Sequence, residues 1–488
     1  MGVQMQAHER MSSIDTAWLR MDGPVNSMMI VGVGATETPV RLADFRRMLE
    51  SRFLCFPRFR HRPVADSLGG SWVEDRGFDL DAHLVRAVLA GDAGQRELEA
   101  LAAELASESL DPRRPMWQLH LVERYGSGSA WIMRVHHCYA DGIAMIRVLL
   151  SMTEQDSGPA MAARATDTAR AGRPPGPDLP DLPPWLEQFT QPAGDILEHA
   201  LAEGAHFLEQ GVHQVFHPLR AAELAGRAGG MAAEFTRALA MPDDPDSPLR
   251  GPLSGVKRIA WTDPLALDEV RTIGRALSCT VNDVLMSTVA GALGRHLREL
   301  DFDTGDLVLR ASMPVNLRQA EEPLTLGNKF GLVFVALPLG IRNPLERVFT
   351  VHDSMASLKG SLQPAMSLMT LGIMGLLPAA VQGPAIDLFS RKASAVVSNV
   401  PGPQAPLKLC GQRISEMYFW VPQSGSIGVG ISVLSYAGKV HFGVIADREL
   451  EVEPRRIADA FAPEFERLLL ATTMELLALK ERDRKSAD

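Results

Sequence analysis

Between Glu154 and Pro184 the chain stops alternating helical and strand patterns and turns to Ala, Gly, Pro, Asp and Arg, including Arg173-Pro-Pro-Gly-Pro-Asp-Leu-Pro-Asp-Leu-Pro-Pro. Such a stretch has too little apolar surface to bury and too many fixed backbone angles to carry a helix, so it reads as a flexible crossing. Trp185 to Leu239 then repeats Ala, Leu, Glu and His at three- and four-residue steps, a helical pattern, until a second proline-rich break from Pro242 to Pro252. The chain of 488 residues is thereby divided into an N-terminal part (1–153), a linker with a helical connector (154–254) and a C-terminal part (255–488). That length exceeds what one ordinary core organises, so each flank is expected to form its own lobe.

Both flanks mix the helical and the strand period. In the first, Val40 to Phe53, Gly94 to Leu110 and Gly142 to Thr153 read as helices, and Met28 to Val33, Trp117 to Glu123 and Ser129 to Val135 as strands. In the second, helices are expected over Asp263 to Leu277, Asn282 to Leu300, Asn343 to Leu358 and Pro454 to Lys480. Strands there are expected over Leu307 to Val315, Lys329 to Pro338, Ala393 to Val400, Arg413 to Val421, Ile427 to Ser435 and Lys439 to Ile445. Alternation of this kind in two lobes indicates an α/β layered fold.

Composition narrows the class. A net charge of −10 without a dense basic run argues against nucleic acid as a partner, and an anionic ligand would need a local basic pocket. Cys55, Cys138, Cys279 and Cys410 show no framework spacing, which suits reduced thiols in the cytoplasm. The polar start has no apolar signal segment, and no uninterrupted apolar run of spanning length occurs. The nearest approach, Met366 to Val381, is broken by small residues and Pro378. It reads as a buried helix, a wall of an apolar tunnel or a membrane contact, its methionines suited to a surface that adapts to flexible chains.

The chemistry concentrates in Trp131-Ile-Met-Arg-Val-His136-His137-Cys-Tyr-Ala-Asp141-Gly142, where a strand delivers adjacent histidines to the start of a helix. Neighbours on a strand face opposite ways, so one imidazole at most faces a given cleft. An imidazole takes and returns a proton near neutral pH. Asp141 can pin the turn, and Gly142 is expected to supply backbone angles that a side chain forbids. This HHxxxDG pattern points to acyl transfer by general-base catalysis. Other readings stand beside it: a structural histidine pair, a metal site using Asp141, and a thiol nucleophile at Cys138.

Further segments accompany the motif: Met11 to Asp22, Trp72-Val-Glu-Asp75, Pro115-Met116-Trp117, Thr280-Val-Asn282-Asp283, Met313 to Arg318, Gly327-Asn328 and Ser398-Asn399-Val-Pro-Gly-Pro403. In this order they resemble the bacterial wax ester synthase/diacylglycerol acyltransferase family over nearly the whole chain. HHxxxDG alone is shared with chloramphenicol acetyltransferase-like enzymes and peptide-synthetase condensation domains; the combination is more specific. The resemblance implies two chloramphenicol acetyltransferase-like lobes with mixed sheets and flanking helices, and an active site at their interface.

It further implies transfer of a long acyl group from acyl-CoA, a co-substrate, to diacylglycerol or a fatty alcohol. No resident cofactor or metal is expected. His137 matches the family's base, with His136, Asp141 and Gly142 completing the catalytic motif and Arg318 expected as the partner of Asp141. Asp22 stands where the family carries a glutamate that would orient the catalytic histidine. Here the acid is one carbon shorter and is followed by Ser27-Met28, so a plain turn aspartate stays open. Asn282 is expected either to donate to the oxyanion or to cap a helix, beside Asp283. Trp117 is expected in the architecture or lining an acyl tunnel, and Asn399 in a rigid turn shaping the cleft.

For the CoA phosphates the basic candidates are Lys257, Arg258, Lys329, Arg391 and Lys392. The expected location is cytoplasmic, at the inner membrane face or lipid inclusions, with room for a homodimer. Two alternatives remain: a condensation-type enzyme using a carrier-protein thioester, and an idle protein that coats lipid inclusions.

Overall fold

The computed structural model describes residues 9–66, 69–155, 241–318, 326–358, 363–376 and 379–487. The expected connector helix from Trp185 to Leu239 lies outside the described residues. Elsewhere the architecture is mixed α/β, with sheets flanked by helices.

The first large sheet runs, edge to edge, Leu84–Ala87, Trp117–Tyr125, Gly128–His136, Met29–Thr36, Gln412–Trp420, Leu407–Leu409 and Glu154–Gln155. Its centre follows the expected strands, because bulky apolar residues such as Trp131, Ile132 and Val135 must be covered on both faces. The strand Gln412–Trp420, expected in the second lobe, instead crosses over and pairs antiparallel with Met29–Thr36, Trp420 opposite Val31 and Met417 opposite Gly34. The second large sheet has the order Leu265–Ala266, Lys439–Asp447, Val429–Tyr436, Ala395–Pro401, Val308–Asn316 and Phe330–Pro338, with Lys257–Trp261 also on Lys439–Asp447. It mixes parallel and antiparallel pairs. A small third sheet joins Glu9–Arg10 to the hairpin His61–Asp66/Gly69–Glu74.

Helix Val281–Glu299 fills the core of the second lobe, with Val284, Leu285, Val289 and Leu293 buried. The apolar segment around Met366 forms two helices, Gln363–Leu376 and Ala379–Ser390. The former lies directly on the first helix, Ser13–Met21: a Cβ on Gly375 would sit 1.6 Å from the Ser13 carbonyl oxygen, so the contact requires glycine. No single described helix is long and apolar enough to cross a membrane.

Candidate active site

The strand Gly128–His136 ends where the motif begins. The His136 amide donates to the Met116 carbonyl (3.0 Å) and the His137 amide to the Met28 carbonyl (2.7 Å), which holds both residues against neighbouring strands. Tyr139 anchors the turn that follows, its hydroxyl donating to the His61 carbonyl (2.6 Å) and accepting from the Met116 amide (3.0 Å). Asp141 then caps helix Gly142–Met152 by accepting from the Ala144 amide at 2.9 Å. Its other oxygen accepts from the Lys329 amide at 2.9 Å and from the Arg318 guanidinium, whose second nitrogen donates to the Gly327 carbonyl at 2.7 Å. One buried carboxylate thus ties the motif turn to the chain segment from Arg318 to Lys329.

His137 is 3% exposed and stacks on Trp18 (ring centroids 4.2 Å apart), with Phe330 at 5.4 Å. Burial pushes its imidazole down to about 4, against the opposing pull of Asp141. The ring is therefore neutral at physiological pH, the state a base requires. Trp18 passes from His137 to an apolar pocket, partly open to solvent and lined also by Leu332, Phe334, Leu371, Met374 and Ile386. The helix Gln363–Leu376 therefore supplies one wall of this pocket.

His136 differs from its neighbour. Its Nδ1 accepts from the Cys138 amide at 3.2 Å, so Nε2 carries the proton and faces the Asp22 carboxylate at 3.6 Å. Burial raises Asp22, but the His136 imidazole and the Met28 amide (2.7 Å) outweigh it and leave the carboxyl below its ordinary value. Asp22 therefore faces the first histidine, where the family pattern suggested the catalytic one. Its carbon-shorter side chain reaches from the end of helix Ser13–Met21 to the ring.

Several expectations are corrected. Gly142 has no positive φ, and a Cβ there would meet nothing within 4 Å, so backbone strain does not explain the glycine. Thr280 and not Asn282 caps helix Val281–Glu299, through a reciprocal box with Asp283: the Asp283 amide donates to the Thr280 hydroxyl and the Thr280 amide to the Asp283 carboxylate. Asn282 lies one residue inside the helix and accepts from the Asn399 side chain at 2.6 Å. Among the described residues no hydrogen bond or ion pair links Asn282, Asp283 or Asn399 to His136, His137 or Asp141. Asn399 itself lies within strand Ala395–Pro401, and the chain turns only after Pro401. Trp117 is fully buried among Phe53, Phe59 and His83, its indole donating to the Phe59 carbonyl, and lines no part of the pocket.

The thiol reading fails too. Burial first, then the charges of Asp15 and Asp22, raise the Cys138 thiol well above its ordinary value. Metal-type donors do converge elsewhere: Cys279, Asp283 and His352 bring ligand atoms within 4.8 Å, and there His352 is hydrogen-bonded to the Asp283 carboxylate at 2.8 Å. The basic candidates are engaged within the protein: Lys257 pairs with Asp447, Arg258 with Glu453, and Arg391 and Lys392 with Asp243, and Lys329 too has a partner.

Three further residues complete the surroundings of His137. Trp18 stood in a quoted segment without a role, and an aromatic within a helical pattern carries no mark of what it will face. Phe330 opens an expected strand. Asn328 donates to the His137 carbonyl at 2.8 Å and also to Asp15; its Gly-Asn context was visible, its partners were not.

The wax ester synthase/diacylglycerol acyltransferase catalytic domain matches residues 11–285, and the C-terminal domain of the same family matches residues 326–469. A probable diacylglycerol O-acyltransferase of Mycobacterium tuberculosis H37Rv is 27% identical over 414 residues, covering 82% of this chain and 81% of that protein. A putative diacylglycerol O-acyltransferase of the same strain is 28% identical over 441 residues, covering 87% and 88%. The wax ester synthase/diacylglycerol acyltransferase of Marinobacter aquaeolei VT8 shares the fold, with a TM-score of 0.65 at 21% identity over 95% of this chain and all of that one. The first condensation domain of the calcium-dependent antibiotic synthetase shares it at a TM-score of 0.57 and 15% identity, covering 96% of each chain. With a family match over more than half its length, the chain belongs to the wax ester synthase/diacylglycerol acyltransferase family.

Proposed function

We propose that the protein transfers a long acyl group from acyl-CoA to the hydroxyl of diacylglycerol or of a long-chain alcohol, with His137 as general base. The observation that carries this reading is a neutral, buried imidazole stacked on Trp18, whose far side lines an apolar pocket suited to hydrocarbon. Nε2 of His137 takes the proton of the acceptor hydroxyl as that oxygen bonds to the thioester carbonyl carbon. The tetrahedral intermediate then collapses, the carbon–sulfur bond breaks, and the departing thiolate recovers the proton from His137. A thioester is already activated, so positioning with base catalysis suffices and no covalent enzyme intermediate is needed. Asn282, its side-chain oxygen occupied by Asn399, keeps its amino group to donate to the oxyanion. Because both acceptors partition into lipid, the protein is proposed to work at a membrane or inclusion surface in the cytoplasm.

CoA thiol release from palmitoyl-CoA, with diacylglycerol and hexadecanol supplied separately, tests the chemistry. Acceptor-dependent release should fall about 100- to 10,000-fold in His137→Ala, the span that a positioned base contributes. Release that survives the substitution would remove His137 from the reaction.

A further inference from the structure

Asn328 sits between two groups that can only accept hydrogen bonds. Its backbone amide and its side-chain Nδ2 donate to Asp15 Oδ1 at 3.1 and 2.8 Å, and Nδ2 also donates to the His137 carbonyl at 2.8 Å. A carboxylate and a carbonyl offer no proton in return, so the amide has one orientation: nitrogen toward Asp15 and the His137 carbonyl, oxygen on the other side. That oxygen is buried without a hydrogen-bond partner among the described residues, and so is Nδ1 of His137. A buried acceptor or donor left unpaired costs about 1–3 kcal/mol, so both atoms gain by meeting. Asn328 is also close enough to the imidazole to favour its protonated form, as is the ring's own carbonyl. The Asn328 side chain and the His137 carbonyl that it holds both act on the imidazole, so one side chain governs what an Nδ1–H could meet.

Resting on the reading of His137 as the base, we propose that Asn328 is the positioning residue that fixes its tautomer. The amide, oriented by Asp15, keeps the ring proton on Nδ1 and leaves the lone pair of Nε2 for the acceptor hydroxyl. The adjacent histidines then hold opposite tautomers, since His136 accepts at Nδ1 from the Cys138 amide and carries its proton on Nε2. Asp15 belongs to the first helix and Asn328 to the second lobe, so the base is set correctly only when the lobes are docked. The charged and titratable groups acting on this assembly are Asp141 and His136 on the imidazole, Arg58 on Asp15, and Asp15 and Asp22 on Cys138.

The test uses the full chain labelled with [15N]histidine, with His137→Ala identifying the His137 resonances. Asn328→Ala is compared with the exchanged pair Asp15→Asn/Asn328→Asp, which keeps an acceptor beside the ring and moves the carboxylate from position 15 to position 328. In the parent, the nitrogen shifts should show a proton on Nδ1. Asn328→Ala should mix the tautomers and lower kcat about 10- to 100-fold with KM changed by less than about 3-fold. The exchanged pair should recover part of kcat and move the acidic limb of the kcat profile upward, because a carboxylate favours the imidazolium. Unchanged nitrogen shifts and kcat in Asn328→Ala, or an acidic limb that stays in place in the exchanged pair, would overturn the proposal while His137→Ala remained inactive. Turnover in His137→Ala would instead remove the base reading itself. If melting curves show that Asn328→Ala does not fold, the acidic limb of the exchanged pair decides.

Discussion

Asp141 illustrates how much one side chain can hold together. Its oxygens cap the motif helix, accept the Lys329 amide and pair with Arg318, all in a site almost without solvent. In such surroundings a buried pair adds little net stability, but removing one partner strands the other charge. Arg318→Leu is therefore expected to destabilise the protein by about 3–5 kcal/mol, read from urea unfolding. Asp141→Asn in the Arg318→Leu background should return a good part of that loss, since it removes the stranded charge and keeps the cap; a double variant no more stable than the single would show that the charge is not what matters. An aspartate at a strand-to-helix turn was visible in the sequence as a cap or an ion-pair partner, but choosing Arg318 among the basic residues was a guess that only the fold settles. The Asp22–His136 contact and the role of Thr280 were not legible there, because a one-carbon difference in reach and the choice of cap depend on where the backbone ends.

At the scale of elements, periodicity gave the long strands and helices and failed where pairing is decided by distant chain. The hairpin His61–Asp66/Gly69–Glu74 escaped notice because Arg62, Pro63, Asp66 and two glycines hide its alternation. The crossing of Gln412–Trp420 into the first sheet is invisible to a two-residue period, which states that a strand has two faces but not which sheet it joins. The closing helix Pro454–Ala487 carries a different message. Its outer part exposes Leu470 (64%), Met474 (61%) and Leu477 (52%) at four- and three-residue steps along one face, with Leu476 and Leu479 also exposed. Lys480, Arg482, Arg484 and Lys485 follow them in the sequence, a combination that suits an anionic lipid surface. With this face as the contact, Leu470→Glu/Met474→Glu/Leu477→Glu should abolish flotation with vesicles containing anionic lipid while leaving the melting temperature within about 2 °C, as expected for exposed positions. Flotation equal to that of the parent would place the lipid contact elsewhere.

Across the whole molecule, the burial that keeps the His137 imidazole neutral is not confined to the candidate site. His120 and His441 are also pushed down to about 4 by burial, with the Arg134 and Lys439 charges adding to it respectively. Among the described residues neither nitrogen of His441 has a hydrogen-bond partner where it packs between Tyr418 and Tyr436, at the seam where strands of the two large sheets meet. In the unfolded chain these imidazoles take a proton near 6.5. Between about pH 6.5 and 4 the unfolded state therefore binds more protons than the folded one, and stability falls as the solution is acidified. Asp15 works in the opposite sense: burial raises it to about 6, so its contribution is greatest in acid and fades as pH rises through 4 to 6. Among the described residues five imidazoles are lowered by burial, those of His83, His120, His137, His296 and His441, against two raised carboxyls, Asp15 and Glu416, and the net slope is set by the histidines. His441→Leu, of similar bulk and without a titrating group, removes one of them far from the chemistry. Its stability advantage over the parent should be larger at pH 4.5 than at pH 7.5 by of order 2–3 kcal/mol, at about 1.4 kcal/mol for each unit of depression. Urea unfolding of both proteins across that range measures it; parallel stability curves would mean that the His441 imidazole is charged or hydrated in the folded protein and that the seam between the sheets is not dry.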